Sequence, residues 1–339
     1  MNFDTIKDDL LSIADSGLKY ANNKAPDAEI EIFISQSQIA DINLDGGSAS
    51  ARDSLQTGLG VRVFNNKRKS FASTSGIDTE NIHAVIDDAI NISNKISFVD
   101  NRFVSLAPNR LPAKEGILDP EILTIDSKTL GKEAFDMVKV CKDYNEKIIS
   151  VTGTRTAIFG ANGIVNSNGV NAASRITASI GVIYAIAKEG SKHKTSIGFD
   201  LSRKKDLNLE EASLKASKET IDLLNSKPLG ISEIMPVIWD NLSAGMYFGT
   251  TFGSAITGGA VVEGQSYFAD KIGDDISIRN LEVVDNGQLP EGLSTSAIDD
   301  EGVPKQKTSI ISNGVLKSFI SDTYYSNIFQ GSINISCYI

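Results

Sequence analysis

Two cysteines and two histidines are all that 339 residues provide, and these shortages exclude several functions at once. Cys141 and Cys337 cannot build a disulfide framework, nor can two thiolates alone complete a tetrahedral zinc site. Such sparse cysteine usage suits the cytoplasm. Neither histidine is followed by Glu, so the helix-borne HExxH zinc site is absent. The serine elbow G-x-S-x-G is missing too, since Gly264-Gln-Ser266-Tyr-Phe lacks the closing glycine. There is no GxxxxGK[ST] loop, and no GxGxxG follows a strand pattern. No apolar run approaches the ~20 residues needed to span a bilayer. The N-terminus, MNFDTIKDDLLSIADSGLKYANNK, carries acids in its first turns where an export signal has a basic start. Basic charge is also short: a formal net charge of −10 argues against general nucleic-acid binding. The small clusters Lys67-Arg68-Lys69 and Arg203-Lys204-Lys205 fall where turns are expected, as solvated charges.

The remaining composition, 41% hydrophobic and 22% charged, is that of an ordinary globular protein large enough for two domains. Residues 4–22 place Ile6, Leu10, Ile13 and Leu18 mainly on one side and predict an amphipathic helix. Period-two alternation predicts strands over 28–34 and 39–44, broken by Asp45-Gly46-Gly47. A hairpin follows, 58–64 and 69–74 around Asn65-Asn66-Lys67, and then a helix from Asp78 or Thr79 to about 96. The pattern dissolves between 98 and 124, a proline-containing crossing that Leu106, Leu111 and Ile117 should attach to a surface. Beyond it, a helix over 127–145 precedes strands at 147–159, 175–187 and 194–201, with a turn at 160–163 and a short strand and further turn over 164–169. Another helix spans 208–224, and further strands are expected at 234–239, 280–284, 307–311 and 315–320. The expected fold is α+β: an N-terminal helix-and-antiparallel-sheet layer domain (1–107), a crossing (108–126), and a β-rich C-terminal domain with a few helices (127–339).

Two stretches invite a functional reading. Within residues 240–271, Gly245, Gly249 and Gly253 recur every fourth position and would share one helix face, with Gly258-Gly259 closing the helix. Each interior glycine costs roughly 0.5–1 kcal/mol against alanine, so close approach of a backbone or ligand would justify them. A glycine-rich loop with accidental spacing is the plainer alternative. The second stretch is the acidic run Asp299-Asp300-Glu301-Gly302, which could clamp a metal or a peptide amino group, or serve as a solvated turn. Elsewhere, His83 with Asp87 one turn on suits a helix-surface contact better than an acid/base pair, His193 suits an exposed turn, and Cys141 suits the core.

Several fragments in order along the chain carry a family resemblance. They are Ala28-Glu-Ile-Glu-Ile, Gly58-Leu-Gly-Val-Arg-Val-Phe, Lys69-Ser-Phe-Ala-Ser-Thr, Val165-Asn-Ser-Asn-Gly, Gly264-Gln-Ser266, Asp270-Lys-Ile-Gly273, Ser296-Ala-Ile-Asp-Asp-Glu-Gly302 and Asn313-Gly-Val-Leu. Together they resemble the TldD/PmbA proteins, long labelled modulators of DNA gyrase. The resemblance implies a two-subunit zinc metalloprotease that processes peptides, in which the TldD-type subunit carries HExxxH and a later cysteine ligand. Aligned through Thr257-Gly258-Gly259, the HExxxH positions fall on Thr250, Thr251 and Ala255, which cannot replace imidazole. This chain therefore resembles the PmbA/TldE-type subunit, with no catalytic or metal-ligating residue of its own and zinc expected in a TldD-type partner. Gly245, Gly249, Gly253, Ser266, Asp299, Asp300 and Glu301 are then candidate contacts for a peptide or a partner, in a heterodimer or a homodimer, with no direct nucleic-acid or membrane contact. Family members continue beyond the strand at 315–320, so the C-terminal domain is expected to be incomplete, and Cys337 is not assigned as the cysteine ligand. A regulatory or binding protein of the gyrase-modulator type, without proteolysis, is the alternative; a hydrolase using the acidic run is a third.

Overall fold

The computed structural model describes residues 2–110, 115–329 and 336–337. Helix α1 (Ile6–Lys24) leads into the paired strands β1 (Glu29–Asp45) and β2 (Ser48–Asn65), and β3 (Arg68–Thr74) completes a meander. Both hairpins turn through two residues with positive φ: Gly46 and Gly47 in the first, Asn66 and Lys67 in the second. Such turns match the right-handed twist of the flanking strands. Helix α2 (Thr79–Lys95) is capped by Asp78, whose side chain accepts from the Asn81 amide. After the crossing, a short 3-10 turn (Pro120–Thr124) and helix α3 (Ser127–Tyr144) precede β4 (Ile148–Asn166), β5 (Asn171–Glu189), β6 (Lys192–Ser202) and helix α4 (Leu209–Leu224).

These six strands form one antiparallel sheet in the order β3-β2-β1-β4-β5-β6. Alternate residues of β1 and β2, namely Ile30, Ile32, Ile34, Leu59, Val61 and Val63, are buried beneath α1 and α2. On the same face α3 and α4 cover β4 and β5 through Met137, Cys141, Val151, Ile183 and Ala216. The α+β expectation holds. The boundary at 108–126, however, does not separate two sheets. Strand β1 pairs with β4 from Glu31–Asn166 to Asp45–Thr152, so the halves on either side of the crossing share their central ladder. The crossing is fastened there: Leu106 and Ala107 are buried, and the Asn166 amide donates to the Ala107 carbonyl at 2.8 Å. Leu111 lies outside the described residues.

Several expected breaks prove to be continuous strand. The separate strands at 28–34 and 39–44 are one, because polar Ser35–Gln38 pair on both sides, with β2 and with β4. The expected turn at 160–163 lies inside β4; a side chain on Gly160 would strike the Gln36 carbonyl of β1, so that glycine permits close strand approach rather than a turn. The C-terminal region is less regular. Residues 234–239 form no strand, and Ile234 and Ile238 stand fully in solvent. Helix α5 (Asn241–Phe248) runs into a π-turn (Gly249–Gly253), and a short helix α6 (Gly258–Val262) starts at the glycine pair expected to end a helix. Strands β7 (Val283–Asn286), β8 (Lys307–Ser312) and β9 (Val315–Leu316) make a small sheet. The strand expected over 315–320 is interrupted, resuming as β10 (Ile320–Ser321), which pairs in parallel with β11 (Ser336–Cys337), and helix α7 (Thr323–Ile328) lies between those two.

Candidate functional site

The face of the sheet opposite the helices is where the polar positions of β1 and β2 converge. Glu31 sits opposite Arg62, Phe33 opposite Gly60, and Ser35 opposite Gly58. Strand β3 adds Lys69, Phe71 and Ser73 to the same surface. Over this surface folds the loop 296–304 of the C-terminal region, and between them lies a cavity of about 830 Å³ lined also by Asp299, Asp300, Glu301 and Asp322.

Three local devices hold the acidic loop in place. Asp299 is a turn residue: one oxygen accepts from the amides of Glu301 and Val303, at 2.9 and 2.8 Å. Gly302 has a φ of +77° and lies so close to the end of β4 and the turn after it that a Cβ would meet the Val170 side chain at 2.4 Å and that of Ile164 at 2.9 Å. Arg203, almost fully buried, donates to the carbonyls of Leu293 and Thr295 at 3.1 and 3.0 Å, tying the start of the loop to the end of β6. Beneath the loop, Ala297, Ile298 and Val303 pack on Ile164, Val170 and Ala172.

Electrostatics knit the loop to the strands. Arg62 Nη2 bridges Glu31 at 2.5 Å and Glu301 at 3.3 Å, while the other Glu301 oxygen accepts from the Thr323 amide at 2.7 Å. Glu31 is 5% exposed, and its Oε2 has no hydrogen-bond partner. Burial pushes the Glu31 carboxyl up to about 7, aided by Glu301 and Asp299 and opposed by Arg62. Burial likewise lifts Asp299 to about 6 against the pull of its two amide donors, and raises Asp322, the N-cap of α7. Arg62 is partly desolvated, yet Glu31 and Glu301 hold it above its ordinary value. Asp300 is exposed at the cavity mouth.

Of the residues singled out by sequence, the structure brings the acidic run together with the fragments containing Glu31, Arg62 and Lys69. Asp299 is the turn residue and Glu301 an ion-pair partner. Ser266 belongs elsewhere: its hydroxyl donates to the Ala255 carbonyl at 2.5 Å and accepts from the Phe268 amide, an internal tie. The spacing of Gly245, Gly249 and Gly253 does not mark close approach within the chain. A Cβ on Gly245 or Gly249 would meet nothing within 4 Å, and on Gly253 only the Phe248 carbonyl at 3.9 Å. Thr250 and Thr251 donate their hydroxyls to the carbonyls of Met246 and Tyr247, and Ala255 has no donor atom. Among the described residues no three His, Cys, Asp or Glu side chains are grouped to hold a metal ion. His83 stacks on Tyr20 at 3.7 Å, whereas Asp87 accepts from the Tyr20 hydroxyl. His193 is exposed within β6, beyond the turn, and Cys141 is wholly buried.

Three family models match in order: PmbA/TldA metallopeptidase domain 1 over residues 30–93, the central domain over 119–224 and the C-terminal domain over 232–336. The chain belongs to the PmbA/TldD family. A metalloprotease of Methanocaldococcus jannaschii is 27% identical over 306 residues, 86% of this chain and 65% of the relative. Metalloprotease PmbA of Escherichia coli O157:H7 is 23% identical over 93% of this chain and 68% of its own length. The chain thus spans about two thirds of the length of these relatives. Among solved structures, TldE from Thermococcus kodakarensis superposes with a TM-score of 0.82 at 20% identity, covering 94% of this chain and 71% of that one. A Thermotoga maritima protein described as a modulator of a DNA gyrase does so with a TM-score of 0.76 at 19% identity, covering 93% and 71%. Both likenesses concern the PmbA/TldD fold. No helix among the described residues is long and apolar enough to cross a membrane.

Proposed function

We propose that this chain is a non-catalytic, PmbA/TldE-like subunit of a two-component zinc metalloprotease that acts on peptides or unfolded polypeptide segments in the cytoplasm. The observation that carries the reading is the chemistry at the positions corresponding to HExxxH. Two are threonines whose hydroxyls are spent on their own helical turn, and the third is an alanine. A hydroxyl that donates to a carbonyl within its turn is a poor zinc ligand beside imidazole or thiolate. These residues do not fit a catalytic zinc ion, so the metal and the hydrolytic step belong to a TldD-type partner in this reading.

The surface around the same positions supports a binding role. Ile234, Val237, Ile238, Trp239, Met246 and Tyr247 are each more than half exposed. An apolar patch of that kind suits burial against a second subunit, in a heterodimer or a homodimer. Gly245, Gly249 and Gly253 leave the adjoining helix face open to an approaching chain.

The test is reconstitution. The chain alone should hold no stoichiometric zinc by elemental analysis and should leave an unfolded peptide intact; cleavage should appear on mixing with a histidine-bearing family member. Gly249→Leu, which the open space around Gly249 accommodates, should weaken that assembly. Zinc retained by the isolated chain together with peptide hydrolysis refutes the proposal. Tight, salt-sensitive binding to duplex DNA would favour the regulatory role that the description of the Thermotoga neighbour suggests.

A further inference from the structure

We infer that the cavity between the sheet and the loop 296–304 is a subsite for a basic side chain, the guanidinium or ammonium group of an arginine or lysine in an extended polypeptide. The inference rests on the reading of the chain as a peptide-handling subunit and adds to it the side-chain class received. The charge balance is the first observation. Five carboxyl groups line the space (Glu31, Asp299, Asp300, Glu301 and Asp322), against two cations, Arg62 and Lys69, and the acidic excess remains when Glu31 is protonated. Clefts lined by an excess of one sign concentrate ligands of the other.

The second observation concerns which oxygens remain available. Both oxygens of Glu301 are engaged, by Arg62 and by the Thr323 amide. One Asp299 oxygen, Oδ1, accepts from two backbone amides. Glu31 differs: it is 5% exposed, one oxygen meets Arg62, and Oε2 is buried with no hydrogen-bond partner. A buried polar atom without a partner costs roughly 1–3 kcal/mol; Glu31 Oε2 is matched by a ligand N–H donor, and Arg62 Nε, also buried and unpartnered, by an acceptor such as a carbonyl of the same peptide's backbone. Asp300, exposed at the mouth, supplies a carboxylate to steer that donor inward. Arg62 already shows that the cluster accepts guanidinium geometry, with Nη2 shared between Glu31 and Glu301.

Third, the walls suit the body of a long basic side chain. Phe33 and Phe71 are apolar, and the Phe71 ring is 60% exposed. The stem of Lys or Arg packs along such surface while its charged end seeks polar partners, and a guanidinium also stacks on an aromatic ring. The volume of about 830 Å³ exceeds one side chain, leaving room for the neighbouring backbone.

The test uses the chain as it stands, without partner or zinc, by fluorescence anisotropy with labelled, otherwise neutral peptides. One carries a single arginine; a second carries citrulline, its uncharged near-isostere; a third carries glutamate. The arginine peptide should bind at least about tenfold more tightly than the citrulline peptide, with a preference that shrinks as salt rises. Asp300→Asn and Glu31→Gln should each reduce the arginine preference, and circular dichroism reports whether each variant is folded. Because Asp300 is exposed, its variant tests the inference even if the Glu31 substitution disturbs the fold. Equal binding of arginine and citrulline peptides, preference for the glutamate peptide, or undiminished discrimination in Asp300→Asn overturns the inference. Should reconstituted cleavage succeed while this discrimination is absent, the subsite alone is wrong; discrimination without reconstituted cleavage would instead fault the subunit reading.

Discussion

Replacing Glu31 by Gln gives the most direct check on the electrostatics of the cavity. In the folded chain burial lifts this carboxyl from its ordinary 4.5 to about 7, despite the adjoining Arg62. Between those values the folded protein keeps a proton that the unfolded chain has released. Stability must therefore fall as pH rises through this window, with the full loss present above pH 7. At about 1.4 kcal/mol for each tenfold change in proton affinity, the loss attributable to Glu31 is roughly 3 kcal/mol. Glutamine keeps the shape and an acceptor for Arg62, offers an N–H in place of the orphaned oxygen, and does not titrate. Urea denaturation of parent and variant, followed by circular dichroism from pH 4.5 to 8, isolates the effect. Asp299 has the same sign, raised from 3.8 to about 6, but is present in both proteins and largely cancels in the difference. The variant should gain about 3 kcal/mol on the parent between the ends of that range. A difference that does not change with pH, or that runs the other way, would show that attraction to Arg62 outweighs burial and refute the reasoning.

Two further substitutions address how the acidic loop is held. Gly302→Ala forces a side chain into the left-handed region and against Val170 and Ile164, and should cost about 2–4 kcal/mol in thermal or chemical unfolding. Arg203→Met keeps much of the buried stem but strips donors from the Leu293 and Thr295 carbonyls; a loss of about 2–4 kcal/mol is expected, with faster amide exchange over 293–304.

Much of the scaffold was legible because its signals are local. Helix α2 was placed within a residue or two by Asp78 and by the spacing of Ile82, Val85, Ile86 and Ala89. The centre of the sheet was less legible. Ser35-Gln36-Ser37-Gln38 looks like a gap between strands, yet its backbone is paired on both sides, and pairing does not depend on apolar side chains. Gly160 and Gly163 mislead for the opposite reason, since glycine marks turns more often than crowded strand interiors. Residues 234–239 carry strand-forming side chains but find no neighbour to pair with among the described residues. At the site, the run 299–301 stood out as a cluster, whereas Glu31 and Arg62 did not. Each alternates with buried aliphatic residues and so reads as the solvent side of a strand. Only the chain folding back some 240 residues later converts that side into an interior.

The ladder between β1 and β4 also has a consequence for how the chain emerges during translation. Strand β1 ends at Asp45 and β4 begins at Ile148, so β1 is complete on one flank, beside β2, about a hundred residues before its other partner is made. At 5–20 residues per second the nascent hairpin exposes that open flank for roughly 5–20 seconds. Over that interval the backbone groups of a 17-residue strand are free to recruit any extended segment nearby. The polar stretch Ser35–Gln38 at its middle makes the flank less adhesive than an all-aliphatic strand would be, a property of value to the ribosome-bound chain that the finished sheet no longer displays.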